Sequence, residues 1–502
     1  MLAAIATSVG GNELEADVQL SANAPVRVIS SEMASTTILW LRRDLRIHDH
    51  PALHAALASA ELVLPVFVLD DGVFQGRWAS ADRTHAMLET LTELRASYEA
   101  LGGTLAVRKG IPGEVLGQLA AEHGAKQVHA TSDASPFAIS RDALVARMLN
   151  AGGVELVRHA GLFCADISKI KTKDGRPYAV FSPFGRNWAE APRRDVLAAP
   201  PQVHSPSVDP GMIPSVEDLG LERVLTNPLP AGESAARARM DEWLSDGVER
   251  YKDLHNDVAS STSRLSPYLH IGSLSARELE ERVMEIPGAQ PAAYRRQMAW
   301  RDFYAHVMLY SPTNTRTAYQ PKFDALEWVD DPEGWKAWCE GTTGYPMVDA
   351  GMRELAATGF MHNRTRMVVG SFLTKDLHID YRQGEAWFMK LLLDGDTSQN
   401  NGNWQWTASL GVDPQPYFKR IFNPILQQKK FDPDGVYVKR WIPELKDVPL
   451  KRLFEPWTMS EAEQEASGCV IDRDYPGPIV DHKLERLRAI ERFRAVAEPP
   501  QD

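Results

Sequence analysis

Between residues 36 and 159 the chain alternates two hydrophobic periods, and after residue 231 one of them disappears. Five short β-rich runs (TTILWLR, LVLPVFVL, TLAVRKG, KQVHATS and VELVRH) are separated by helix-like stretches. The stretch 81–101 carries Leu88, Leu91, Leu94 and Tyr98 on one stripe, Gly102 and Gly103 end it, and Pro112 opens the next helix. Strands joined by helical crossovers predict a parallel, doubly wound sheet, because parallel neighbours need a connection long enough to carry the chain back. No G-x-G-x-x-G follows the first run, and RRDLRIHDHPAL stands there instead. The dinucleotide fingerprint is therefore absent, and the usual oxidoreductase reading of such a sheet loses support. Beyond residue 231 strand signals vanish, helical patterns take over, and ten of the thirteen Trp residues are found there. The fold class is α/β followed by all-α.

At 502 residues the chain exceeds one ordinary core. We divide it into a disordered tail (1–34), an α/β domain (35–165), a Pro-rich connector (166–230, including APRRDVLAAPPQVHSPSVDPGMIPS) and a helical domain (231–495). MLAAIATSVGG lacks a basic n-region and runs into NELEAD, unlike a secretory signal, and Met33 is a candidate start. No run of about 20 apolar residues exists to span a membrane. Cys164, Cys339 and Cys469 are odd in number and far apart, which fits a reducing, cytoplasmic setting without disulfides or a zinc site. The net charge of −12 argues against nucleic acid as a whole-chain average. Locally, 401–440 holds Lys419, Arg420, Lys429, Lys430, Lys439 and Arg440 against Asp413, Asp432 and Asp434, and phosphate contact needs only such a basic face.

Chemistry-bearing residues concentrate in 342–427: TGYPMVDAGMRELAATGFMHNRTRM, then DGDTSQNNGNWQW, then PYFKRIFNP. Asn363, Arg364, Asp394, Asp396, Asn400 and Asn401 alternate with Trp404 and Trp406, a mix suited to holding a flat, polar-edged aromatic cofactor and admitting a nucleobase. Asn363 and Met367 are four apart and share a helix face. Upstream, TSRLSPYLHIGSLS sets Thr262, Ser263 and Ser266 before an apolar helical run, either a simple N-cap or a phosphate cradle. YRRQMAWRDFY offers Trp300 as a stacking face and Arg301 as a fixed cation, unless these are a core Trp and a surface Arg.

These ordered motifs resemble the DNA photolyase/cryptochrome family over about 36–494. The resemblance implies a Rossmann-like N-terminal domain and a C-terminal helical FAD-binding domain. It implies that Tyr251, Thr262, Ser263, Arg264, Leu265 and Ser266 hold the FAD pyrophosphate, and that Arg366 pairs with Asp394. Asp394, Gly395 and Asp396 would serve the flavin ring and ribose, and Asn400 would stand beside flavin N5 and favour its reduced form. His255 stands where the family often has Arg. Gln297, Trp300, Arg301, Asn363, Arg364, Met367, Trp406, Lys419, Arg420 and Gln427 would face DNA, with Trp406 stacking on the extruded lesion. Cyclobutane-dimer enzymes usually carry Glu where Gln297 stands, whereas six-four enzymes carry Gln. Six-four enzymes carry histidines at the positions of Asn363 and Met367, which match the cyclobutane-dimer type.

The implied activity is a carbon–carbon lyase, the splitting of cyclobutane pyrimidine dimers in damaged DNA by a monomer. The family's flavin photoreduction chain maps onto Trp404, Tyr381 and Trp328, with Trp387 or Trp338 as a detour around the tyrosine. An antenna pigment is implied in the α/β domain. Folate binders carry an Asn-Glu pair near SPFAISRD, where this chain has Phe137 and Ala138, so deazaflavin, methenyltetrahydrofolate and an empty site all stay open. The alternatives are a cryptochrome-like blue-light sensor, a six-four photolyase and an electron-transfer flavoprotein.

Overall fold

The computed structural model describes residues 34–225, 229–260, 262–412 and 415–497. The tail reading of 1–34 falls, but for Ala34, outside the described residues.

Strands β1 (Thr36–Leu41), β2 (Leu62–Leu69), β3 (Ala106–Lys109), β4 (Gln127–Thr131) and β5 (Glu155–His159) form one parallel sheet in the order β3-β2-β1-β4-β5. The crossovers are α1 (Pro51–Ser59), α2 (Ala81–Ala100), α3 (Pro112–His123) and α4 (Pro136–Ala151). The residues of β1 alternate between two cores. Leu39 and Leu41 pack with α2 residues Leu88, Leu91 and Leu94, while Ile38 and Trp40 pack with Leu116, Leu119 and Val145. A sheet buried on both faces explains why LVLPVFVL reads as an unbroken apolar run. Strand order reverses direction between β1 and β4, so the crevice at their carboxyl ends is the topological switch point where such sheets bind ligands.

The stretch read as an irregular connector is only partly irregular. It contains α5 (Phe181–Glu190), whose Phe181, Phe184 and Trp188 are buried against the long helix α6 (Ala289–Tyr310). Its Pro-rich part runs along the sheet, where Val63 and Val107 donate backbone hydrogen bonds to the carbonyls of His204 and Pro210, each 2.8 Å. Proline composition signalled the loss of helix there but not the pairing.

The helical part builds a cavity from α6, α8 (Asn363–Lys375), α9 (Tyr381–Leu391) and α10 (Thr397–Ala408), with α7 (Pro332–Glu340) packed behind α9 and α10 through Trp338, and α11 (His482–Ala497) is the last described helix. Among the described residues no helix is long and apolar enough to cross a membrane. RRDLRIHDH, after β1, joins the two parts. Arg46 is buried and donates to the carbonyls of Asp49, Gly161 and Gly272, and Asp49 accepts from Arg194 and Ser275. Gly272 has φ +84°, and a Cβ there would run into the Arg43 carbonyl. Gly272→Ala should therefore cost about 2–5 kcal/mol, from left-handed strain plus a clash with rigid backbone. Chemical denaturation of variant and parent checks this; equal midpoints would show that the junction yields.

Candidate functional site

A cavity of about 340 Å³ opens between the TSRLS segment and helices α6, α8 and α10. Its lining includes Tyr251, Thr262, Ser263, Leu265, Ser266, Gln297, Arg301, Asn363, Arg366, Met367, Asp394, Asp396, Asn400 and Trp404, so most of the motif residues converge on one space.

The polar wall is ordered by charge. Arg366 grips Asp394 with two parallel bonds, Nη1 to Oδ1 at 3.1 Å and Nη2 to Oδ2 at 3.0 Å, and the Ser266 hydroxyl donates to Asp394 Oδ2 at 2.6 Å. Asp396 caps α10 by accepting from the Gln399 amide at 3.0 Å and is ion-paired with Arg43. Burial raises the Asp396 pKa, yet the charge of Arg43, with the Gln399 amide and the charge of Arg301, outweighs it and holds the carboxylate ionised. His270 itself is pushed well below the usual imidazole range by burial and by Arg43 and Arg83, so it is neutral.

Asn400 is buried near the start of α10, and its Nδ2 donates to the Glu385 carbonyl at 2.9 Å. That fixes the amide so that Oδ1, an acceptor, is the group offered to the cavity. The Asn363 side chain lies 4.0 Å (Nδ2) from Met367 Sδ, and both line the cavity, as their helical spacing predicts. Trp404 forms the deep wall; its ring rests where a Cβ on Gly384 would collide with it.

Several residues sit elsewhere than the motifs suggest. Gly395 lines a second cavity. Arg264 has φ +51° and turns away from the cavity lining, with its guanidinium 5.0 Å from the Phe360 ring centre and 3.9 Å from Glu354. Arg364 is held by Asn256 Oδ1 at 2.6 Å and lies over Phe431 at 4.3 Å, so it is not presented as an open cation. Trp300 stacks one face on Phe181 at 3.7 Å, which covers that face. Arg420 is buried, donates to the Trp406 carbonyl at 2.9 Å and sits 4.0 Å over the Trp406 ring, while Lys419 is exposed. Gln427 lines a surface groove with Lys483 and Arg486. Tyr381 is buried, 6.2 Å from Trp328 in a T-shaped contact. Spacing along a helix cannot reveal such partners, because they come from distant segments.

Three contributors were missed in their roles. Arg239 donates to the carbonyls of Thr262 (2.8 Å) and Ser263 (2.7 Å), fixing the cradle. Buried His362 accepts from the Arg364 amide through Nδ1 at 3.1 Å, which makes Nε2 the protonated nitrogen; Nε2 is buried, has no partner, and belongs to a residue of the cavity lining. Burial, then Arg366 and Arg364, lowers its pKa to about 4, so it stays neutral. Arg43, missed in its role though quoted in RRDL, closes the wall shared with the second cavity. That cavity, about 410 Å³, lies at the switch point of the sheet. It is lined by Trp40, Arg42, Arg43, Phe67, Arg77, Trp78, Phe137, Ala138 and Arg141, and His270 lines both cavities.

A parallel-sheet domain with a switch-point cavity, joined to a helical domain with a deep, Trp-walled cavity, defines an α/β-plus-helical protein with two ligand-sized cavities. Comparison with known proteins then narrows the class. Residues 37–205 match the DNA photolyase family and residues 294–495 match the FAD binding domain of DNA photolyase. The deoxyribodipyrimidine photo-lyase of Streptomyces griseus is 38% identical over 92% of this chain and 100% of its own. A bacterial class III photolyase from Agrobacterium tumefaciens superposes with TM-score 0.87 at 33% identity, covering 94% of this chain and 100% of that one. A Synechocystis cryptochrome superposes with TM-score 0.84 at 29% identity, covering 91% and 99%. The chain belongs to the DNA photolyase family and carries that family's FAD-binding domain.

Glu385, beneath Asn400, is buried and bonded to Asn401 Nδ2 at 3.2 Å. Burial raises its pKa to about 7, with Asn401, Arg77 and Arg382 opposing and Asp380 adding. A carboxyl more basic folded than unfolded contributes stability that is full below its unfolded pKa of about 4.3 and is lost as pH rises through about 7. Glu385→Gln should thus gain stability relative to the parent between pH 5 and pH 8, read as a growing difference in Tm. A flat difference across that range would show that Glu385 takes up no proton.

Proposed function

We propose that this chain is a deoxyribodipyrimidine photolyase that repairs cyclobutane pyrimidine dimers under blue or near-ultraviolet light. The observation that carries the lesion assignment is the Asn363–Met367 pair on the cavity lining. An amide and an apolar thioether can position and floor a flipped dimer, and neither has a proton to exchange near neutral pH. Gln297, exposed on the same lining, supplies a donor and an acceptor for base edges.

The residues present fit FAD. Thr262 and Ser263 offer hydroxyls for a pyrophosphate while Ser266 holds Asp394, Asn400 Oδ1 offers an acceptor for a ring N–H, and the unpartnered His362 Nε2–H offers a buried donor. Reduced FAD, once bound and excited, supplies the electron that opens the cyclobutane ring and receives it back. The chain's own part is binding, orientation and electrostatics. The Arg366–Asp394 pair fixes an acceptor edge, and Asp396 is kept ionised by Arg43. Damaged, poorly stacked bases cost less to extrude than sound pairs, which favours lesions. Trp406 then gives the extruded bases a stacking face worth about 1–3 kcal/mol per base. Arg420 holds that ring from behind, and exposed Lys419 is the better candidate for phosphate contact.

The second cavity suits an antenna pigment of the flavin or deazaflavin class. Its aromatic walls accept a planar ring, and Arg77, with no ion pair among the described residues, accepts an anionic tail. The likeness to a cryptochrome favours a second reading, a light sensor with the same cofactor.

Asp394→Ala leaves the Arg366 charge uncompensated and should lose most of its flavin on purification, measured as the ratio of flavin to protein absorbance. Full occupancy would remove Asp394 from the site. Light-dependent repair, assayed on oligonucleotides carrying each lesion, should convert the cyclobutane dimer and leave the six-four photoproduct. Conversion of the six-four substrate alone would overturn the assignment, and conversion of neither would favour the sensor.

A further inference from the structure

The family's electron path maps its middle relay onto Tyr381, and the geometry makes that residue a poor relay. Its hydroxyl is buried without a hydrogen-bond partner, so no acceptor waits for the phenolic proton. Burial raises its pKa above the ordinary value of about 10. The Arg382 guanidinium lies 5.1 Å from its ring centre, and a fixed cation there opposes positive charge on the ring.

A different aromatic series leaves Trp404. Its ring lies 6.2 Å from that of Trp338 in a T-shaped contact, and Trp338 stacks on Trp335 at 5.4 Å with an interplanar angle of 23°. Trp338 is fully buried and donates its indole N–H to the Val369 carbonyl at 3.0 Å, a bond that strengthens when the indole is positively charged. Trp335 is half-buried, one turn earlier on α7, and follows Asp330, Asp331 and Glu333 in sequence. Trp387 meets Trp335 at 6.1 Å, but Lys390 Nζ stands 5.5 Å from the Trp387 ring centre, which disfavours positive charge on it.

We propose that photoreduction of the flavin in this protein runs through Trp404, Trp338 and Trp335, with Tyr381 and Trp328 off the path. This rests on the FAD site proposed above. One electron passes from Trp404 to the photoexcited oxidised flavin, one from Trp338 to Trp404, and one from Trp335 to Trp338. A thiol in solution returns one electron to oxidised Trp335 and becomes a thiyl radical, its proton passing to water, and no bond between heavy atoms of the protein is made or broken. Trp338 and Trp335 are relays that touch neither cofactor nor substrate.

The test uses FAD-loaded parent, Trp338→Phe, Trp335→Phe and Tyr381→Phe proteins, flashed with blue light in the presence of a thiol. Transient absorption follows the loss of oxidised flavin, and electron paramagnetic resonance with ring-deuterated Trp or Tyr identifies the terminal radical. We expect Trp338→Phe to lose most of the photoreduction yield and Trp335→Phe to shorten the lifetime of the charge-separated state. Tyr381→Phe should match the parent, and the parent's terminal radical should shift on Trp deuteration alone. A Tyr381→Phe loss as large as that of Trp338→Phe, or a parent radical that responds to Tyr deuteration, would overturn the proposal. If Trp338→Phe does not fold, the half-exposed Trp335 variant carries the same decision. Dimer repair by dithionite-reduced proteins reports the lesion reading separately: relay variants should repair as the parent does, and failure of the reduced parent would sink the repair reading without touching the relay.

Discussion

Arg43 reaches from the end of the first strand to Asp396, and the arrangement of both cavities depends on that contact. The same guanidinium bonds Asp133 after β4 and the His270 carbonyl, so three segments distant in sequence meet on one side chain. Asp396 in turn caps α10, the helix that carries Asn400, Trp404 and Trp406. The position of the parallel sheet thereby sets where the site helix begins. Arg43 and Asp396 are both partly buried, and charges so placed are tolerated when paired and costly when one partner is removed. His270, neutral beside this pair, faces both cavities, so the wall between the proposed light-collecting and reacting sites is thin.

From that start α10 is fixed by what it packs against. The absence of a side chain on Gly384 admits the Trp404 ring close to α9. At the other end, the buried amine of Lys375 donates to the Ala408 carbonyl at 2.9 Å and to Ser409 at 3.0 Å, satisfying acceptors at the helix C-terminus. Arg420 covers Trp406. The function proposed for this site, holding a planar cofactor and a flipped base within bonding distance, gains from such rigidity. Buried acids such as Glu385 and neutral buried groups such as His362 are the accompanying cost, tolerable because each has at least one fixed partner.

The division into an α/β half and a helical half was legible in the sequence because hydrophobic period is a local property. Strands and helices each bury one face or both, and the alternation of Leu, Val and Ile records which. The convergence of Thr262, Ser263, Ser266, Arg366, Asp394, Asn400 and Trp404 was legible through motif order, and the Asn363–Met367 pairing through helical spacing. Partners from distant segments were not. Asn256 claims Arg364, Phe181 covers Trp300, Arg239 fixes the cradle, and the helix within the Pro-rich stretch needs α6 to bury its aromatic face.

The sequence by itself determined the fold class, the absence of a dinucleotide fingerprint and which motifs supply the lining of the cavity in the helical domain. Tertiary structure decided which charges are spent inside the protein and which face outward, so that Arg420 supports Trp406 while Lys419 stays exposed. It also decided which aromatic rings touch, placing Trp338 and Trp335 rather than Tyr381 in series with Trp404. Residue type states what a side chain can do, but burial, ring separation and the presence of a proton acceptor are properties of its neighbours, and neighbours are chosen only when the chain closes on itself.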